Sequence, residues 1–349
     1  MDFTTYINQN QQQGILPGLV LGYQYGYDAP VIVAYGVDGA QQPLTNESVF
    51  PVASITKLAL ALAVLSLVDR GSIALDEPIG TYVSDIIPAS APLTIRSLLC
   101  HTSGLALDLA DKDGLYAIGL DWPKLAHECL NSAPAKPAWS GVQYSNLGYG
   151  LLGIVLERMT GKSCAEALSS LVLTPLGIRG CLGNPTNASV ATVADVRGRH
   201  RGTNLETFNS PFWRSLALPW GGLCTDAAGA LALVDAFLPH SDFLTPALRE
   251  EALSDHTRGL NGGFMPPLWW NSSPWGLGPE LRGTKAPHWV SPQFAPTSFG
   301  HSGASGMVVW ADESSMVRVT MLGARAADSG WMLRHGPQIT SLVINHLTQ

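Results

Sequence analysis

At 349 residues the chain is longer than one average domain and can bury a sizeable core, as two modest domains or one large one. Hydrophobic residues make up 46% and charged residues 13%, with 36 Gly and 24 Pro spread along the length, which describes a compact, loop-rich globule and excludes a disordered chain. The formal charge is −7, and no basic stripe or Lys/Arg cluster stands out among only six Lys, so nucleic acid and anionic lipid are set aside as partners.

The chain opens on Met1-Asp2-Phe3-Thr4-Thr5 and a polar Gln run, where a secretory signal needs a basic start and an apolar segment, so a cytoplasmic protein is expected. Residues 18–36 hold two β-rich runs around Asp28-Ala29-Pro30 and predict a hairpin. A helix follows over 54–70. Its apolar stretch, Leu58 to Leu65, is well short of the ~20 residues that span a bilayer, so it is a core helix and no membrane partner is expected. Residues 93–100, 121–131, 146–160 and 163–173 have helical periodicity, with no convincing strand until beyond 215. Residues 257–298 are irregular and rich in Trp (Trp269, Trp270, Trp275, Trp289), which either wall an apolar pocket or fill the core. Residues 306–310 and 316–323 read as strands with a turn at Asp312-Glu313, and 331–347 as an amphipathic helix. Strands from both ends then share one antiparallel sheet, flanked by the helix at 54–70 and the C-terminal helix. The expected fold is α+β: an α/β sandwich layer from residues 1–75 and 216–349, with a mostly helical domain, 76–215, inserted. Five cysteines (Cys100, Cys129, Cys164, Cys181, Cys224) without a Cys-x-x-Cys pair indicate neither a disulfide framework nor a zinc site; buried free thiols are expected, and no metal.

Ser54 and Lys57 stand three residues apart at the start of a strongly apolar helix, so their side chains share a face. A serine hydroxyl is a poor nucleophile at neutral pH and needs a neighbouring base. A lysine serves when burial and nearby positive charge leave part of it neutral. The helix start also has unpaired backbone N–H groups, and Ser54's own can face a developing oxyanion. With 29 Ser and six Lys, chance alone gives about half a Ser-x-x-Lys match, so the pair can equally be a helix cap and a solvated lysine. Tyr144-Ser145-Asn146 precedes the helix at 146–160. A phenol beside an ammonium shifts toward phenolate and relays protons, and Asn146 can hold a substrate carbonyl and Lys57. The plain alternative is a solvated tyrosine with Asn146 as an N-cap. Third comes His301-Ser302-Gly303, running into a strand. Its small residues let a ligand lie against the backbone, and the N–H of Ala304 can be a second oxyanion donor; the alternative is a Gly-rich hairpin with His301 exposed. Gly300-His301-Ser302-Gly303-Ala304 is not a nucleophile elbow, because its fifth residue is Ala and no helix follows.

These three patterns, in this order, resemble the serine β-lactamase and penicillin-binding-protein superfamily. The likeness is strongest to its class C β-lactamase-like branch, with family VIII carboxylesterases, DD-peptidases, D-aminopeptidases and acyltransferases. It runs over nearly the whole chain: Leu98-Leu99-Cys100-His101-Thr102-Ser103-Gly104-Leu105, Gly71 to Ile79 and Gly221-Gly222-Leu223-Cys224-Thr225 are similar to stretches of that branch. The resemblance implies two domains with the site in the cleft between them. It implies Ser54 as acyl acceptor, Lys57 and Tyr144 as the base and acid system, and Asn146 as a contact of substrate and Lys57. It further implies a substrate-binding strand at His301, Ser302 and Gly303, and an oxyanion hole from the amides of Ser54 and Ala304, with His101 structural and no cofactor. The branch usually carries Lys-Thr-Gly where this chain has His301-Ser302-Gly303, and a neutral imidazole gives up the fixed charge that holds a substrate carboxylate. The expectation is therefore a carboxylesterase acting on small or medium acyl esters or amides. A β-lactamase or D-amino-acid-specific peptidase, an acyltransferase, and an acylated sensor that does not turn over are the alternatives.

Overall fold

The computed structural model describes residues 1–110, 112–264 and 266–348, with backbone alone at 112 and 113. In chain order, α1 (Phe3–Gln12) is capped by Asp2, whose carboxylate accepts from the Thr5 N–H at 2.7 Å. β1 (Gly18–Tyr25) and β2 (Val31–Gly36) form the predicted hairpin. β3 (Phe50–Pro51) leads through a 3-10 turn, Ala53–Ile55, into α2 (Thr56–Asp69). Then come α3 (Ile95–Leu99), α4 (Lys112–Leu115), α5 (Trp122–Leu130), β4 (Val142–Gln143) and α6 (Asn146–Thr160). α7 (Cys164–Leu168) runs on as a π-helical turn, Ser169–Leu173. β5 (Gly180–Leu182), α8 (Pro211–Ser215), β6 (Leu223–Thr225), α9 (Ala227–Asp235) and α10 (Pro246–Ala252) follow. The chain closes with β7 (Gly262–Gly263), β8 (Trp269–Trp270), β9 (Glu280–Leu281), β10 (Phe299–Gly303), β11 (Met307–Asp312), β12 (Val317–Gly323) and α11 (Trp331–Leu347).

The main sheet is antiparallel in the order β2-β1-β12-β11-β10-β9, and β1 pairs with β12 from Leu19 opposite Gly323 to Tyr25 opposite Val317. The two chain ends thus share one sheet, and the fold is α+β. Alternation along β1 separates two cores. Leu19, Leu21 and Tyr23 pack with Trp310, Met321 and α11, whereas Val20 faces the larger core with Val309, Leu322 and α2.

Two expectations are corrected. The helix placed over 54–70 was expected to flank the sheet, yet α9 lies on that face against β1, β11 and β12, while α2 packs against α6 and α7 in the centre. Every residue from Thr56 to Leu67 is buried, and a helix without a polar face needs cover on all sides, which a flanking position does not give. Strands also occur before residue 215: β4 pairs with β7 in parallel, and β5 pairs with β6, Cys181 opposite Cys224. At two and three residues they are too short to show a period. All five cysteines are free, four buried and Cys181 half-buried. Among the described residues no helix is long and apolar enough to cross a membrane.

Candidate active site

Ser54 sits in the 3-10 turn between β3 and α2, and is half-buried. The residue before it, Ala53, has φ 46°, a left-handed conformation that costs a non-glycine residue energy and needs outside support. β6 supplies part of that support. The Val52 N–H donates to the Leu223 carbonyl at 2.9 Å, the Leu223 N–H donates to Thr56 Oγ1 at 3.0 Å, and that hydroxyl donates to the Ala53 carbonyl at 2.6 Å. β10 presses from the other side: a Cβ on Gly303 would lie 2.3 Å from the Val52 carbonyl oxygen, so only glycine lets strand and turn approach this closely.

One turn into α2, the Lys57 Nζ lies 2.8 Å from Asn146 Oδ1, 2.9 Å from the Trp220 carbonyl oxygen and 3.1 Å from Ser54 Oγ, over the rings of Tyr144 and Tyr149. Burial pushes its pKa well below the usual lysine range, against a smaller opposing pull from the Asp108 carboxylate. A neutral amine has two N–H donors and one lone pair. Two of its three neighbours, the Asn146 and Trp220 carbonyl oxygens, can only accept, so they take the two hydrogens. The third, Ser54, can donate. In the deprotonated form, which burial favours, the lone pair therefore faces the serine hydroxyl. The Asn146 amide is fixed in this orientation because its Nδ2 donates to Asp108 Oδ2 at 3.2 Å, and a carboxylate cannot donate back.

Tyr144 is buried at the end of β4, its ring 4.4 Å from His101, and its hydroxyl has no hydrogen-bond partner among the described residues. Burial raises its pKa, with a smaller opposing pull from the nearby Ser54 hydroxyl. The phenol keeps its proton. The expected shift toward phenolate is corrected, because burial of the phenol disfavours its charged form. Asn146 is not the N-cap of α6; Ser145 is, accepting from the Gly148 N–H at 3.0 Å. The Ser145 N–H in turn donates to His101 Nδ1 at 3.1 Å, so His101, neutral and buried, props up the Tyr144-Ser145-Asn146 segment from behind.

Ser302, Gly303 and Ala304 reach the cavity above Ser54, but His301 does not. The imidazole is fully buried behind the wall, Nδ1–H donating to the Ser302 carbonyl at 2.6 Å, and burial first, then Lys57, lowers its pKa to about 4. Neither the Ser54 nor the Ala304 N–H donates a hydrogen bond among the described residues.

The cavity measures about 480 Å³ and brings Tyr144 and Asn146 together with Ser54 and Ala304. Of the Trp-rich segment, Trp289 lines it, Trp275 is buried beneath Tyr144, Trp270 is buried and Trp269 is 44% exposed, so the segment fills the core more than it walls the pocket. Three contributors escaped the sequence reading. Asp108 follows no spacing rule, and the Trp220 carbonyl carries no residue signature. Arg197, Arg199 and Arg201 line the cavity as one run, Val196-Arg197-Gly198-Arg199-His200-Arg201, which corrects the reading that the chain lacks a Lys/Arg cluster. The run was legible but hidden by an acidic total.

Known proteins share this arrangement of elements. EstCE1, described as a hydrolase with promiscuous acyltransferase activity, superposes with a TM-score of 0.80 at 19% identity over 98% of this chain and 97% of that one. The D-amino acid amidase from Ochrobactrum anthropi SV3 gives 0.73 at 21% identity over 99% of each. In sequence, Esterase EstB of Burkholderia gladioli is 40% identical over 162 residues, 41% of this chain and 40% of that one. Penicillin-binding protein 4 of Amycolatopsis lactamdurans is 32% identical over 205 residues, 54% of this chain and 51% of that one. The matches span about half or less of these curated relatives' own length. The Beta-lactamase family profile matches residues 3–330, from α1 to the residue before α11, and the chain belongs to the Beta-lactamase family.

Proposed function

We propose that the protein is a serine hydrolase that is acylated at Ser54 and acts as an esterase on small or medium acyl esters. The observation that carries this reading is the buried Lys57 amine 3.1 Å from the Ser54 hydroxyl, with its other two polar neighbours, the Asn146 and Trp220 carbonyl oxygens, able only to accept. Ser54 Oγ attacks the ester carbonyl carbon while Lys57 takes its proton. The carbonyl oxygen becomes an oxyanion held by the N–H groups of Ser54 and Ala304. Collapse breaks the bond to the alkoxy oxygen, which leaves as an alcohol with a proton from Lys57 relayed by the Tyr144 phenol, and the acyl group stays on Ser54. Water then attacks the acyl carbon by the same route and restores the serine. Residues 76–215 supply Tyr144 and Asn146 as one lobe of the cleft, and the two chain ends supply the other.

An ester fits better than a lactam because His301 stands where a lysine would hold a β-lactam carboxylate, and it is neutral and turned away from the cavity. A relative named as an esterase supports the same choice. Turnover of 4-nitrophenyl acetate, a chromogenic cephalosporin and a D-Ala-D-Ala peptide tests it, with kcat/KM for the ester expected to be highest. Lactam or peptide turnover well above ester turnover would make a β-lactamase or D-peptidase the better reading. A stable Ser54 adduct without turnover would make the protein a sensor, and transfer to an added alcohol in preference to water an acyltransferase.

A further inference from the structure

The chain is acidic overall, yet the cavity mouth carries a concentration of positive charge. Arg197, Arg199 and Arg201 are exposed and line the cavity, and none of their guanidinium groups forms an ion pair or hydrogen bond among the described residues. Lys57 and His301, two other basic groups near the nucleophile, are buried, and burial disfavours their charged forms. Two carboxylates also face the cavity. Asp108 is engaged by the Asn146 amide, and Asp328 stands on the exposed turn after β12, so even with Asp328 set against one guanidinium two remain. The arginine segment is anchored where it matters. The Ala194 N–H donates to the Ala324 carbonyl at 2.9 Å, the Ala326 N–H returns a bond to the Ala194 carbonyl at 2.9 Å, and the Ala327 N–H donates to the Ala304 carbonyl at 3.0 Å. Three backbone bonds thus tie the segment that carries the arginines to Ala304, which lines the cavity together with Ser54. In depth the order runs from buried Lys57 through half-buried Ser54 to exposed arginines.

We propose that Arg197, Arg199 and Arg201 form an anion-recognition site at the cavity mouth, and that the preferred substrates are esters carrying a carboxylate on the part that reaches it. A guanidinium presents paired N–H donors that match a carboxylate and stays charged at every working pH. The site takes over, from a different segment, the charge recognition that the His301 strand cannot provide. The proposal rests on Ser54 acylation for its reaction.

The test pairs charged esters with neutral twins: 4-nitrophenyl hemiglutarate with 4-nitrophenyl butyrate for a carboxylate on the acyl side, and 3-acetoxybenzoate with phenyl acetate for one on the leaving side. For at least one pair the unsubstituted protein favours the charged ester. In the triple variant Arg197→Gln/Arg199→Gln/Arg201→Gln that charged-to-neutral ratio of kcat/KM falls about tenfold, chiefly through KM. Added salt lowers it in the unsubstituted protein too, since the arginines are exposed. Ratios within about twofold of each other for both pairs at low salt would overturn the proposal. Calorimetric binding of the two charged esters to Ser54→Ala, with and without the arginines, keeps the question separate from catalysis. Tighter binding with the arginines supports the site even if the esterase reading fails, and equal binding of both esters counts against it.

Discussion

At the level of single residues, activity depends on where one proton sits. Lys57 acts as a base only when neutral, so kcat/KM is expected to rise with pH through its depressed pKa and level off above it. Lys57→Arg keeps a permanent charge at the same point and should cost about 10²–10⁴-fold in kcat, measured on the 4-nitrophenyl ester. The same proton bears on stability. An unfolded chain carries Lys57 protonated up to its ordinary 10.5, whereas the folded chain gives that proton up well below it. Between those limits the unfolded state binds more protons, so stability rises with pH by up to about 1.4 kcal/mol per unit. Urea denaturation at about pH 7 and about pH 9 should therefore show a smaller difference for Lys57→Met than for the unsubstituted protein. An equal difference would contradict a buried neutral amine. Ser54, Lys57, Tyr144 and Asn146 were legible because each belongs to a short pattern of side chains. The Trp220 carbonyl and Asp108 were not, because a backbone acceptor has no signature and Asp108 is selected by distance in space.

At the scale of elements, what matters is how closely β10 meets the turn that carries Ser54. Gly303→Ala would drive a methyl group into the Val52 carbonyl, a backbone atom that cannot step aside. The strand and the turn must separate. Since the two amides proposed as oxyanion donors, those of Ser54 and Ala304, lie on or next to these two pieces, the variant should lose roughly 100-fold in kcat/KM while remaining folded by circular dichroism. Unchanged kinetics would show that the close approach is not needed. The hairpin at 18–36 and the pairing of both chain ends were readable from alternation. The place of α2 was not inferred correctly, although the absence of a polar stripe from Leu58 to Leu65 was there to be used; an all-round apolar helix belongs in the middle, and α9 takes the face left free.

At the scale of the whole molecule, several ionisable groups from distant segments meet in one dry interior. His288, in the loop between β9 and β10, and His301, in β10, are both buried, and each has its pKa lowered to about 4, first by burial. Their unfolded value is 6.5, so between 6.5 and about 4 the unfolded state takes up protons that the folded state refuses. Stability should fall as pH falls through that window, by up to about 1.4 kcal/mol per unit for each histidine, and His301→Gln should lessen the fall. Urea midpoints across the window check this, and a flat profile would contradict it. The overall architecture was legible because hydrophobic period and end-to-end pairing are properties of the whole chain. The cavity's charge was not, because a net count averages away three arginines that folding brings to one rim.

The central claim is that Ser54 carries the acyl group. Brief exposure to 4-nitrophenyl acetate, acid quenching and mass spectrometry of the digested protein test it most directly. The expected result is an acetyl group on the peptide containing Ser54, appearing in step with the nitrophenol burst and absent from Ser54→Ala. An acetyl group on another residue in step with that burst, or undiminished turnover by Ser54→Ala, would contradict it.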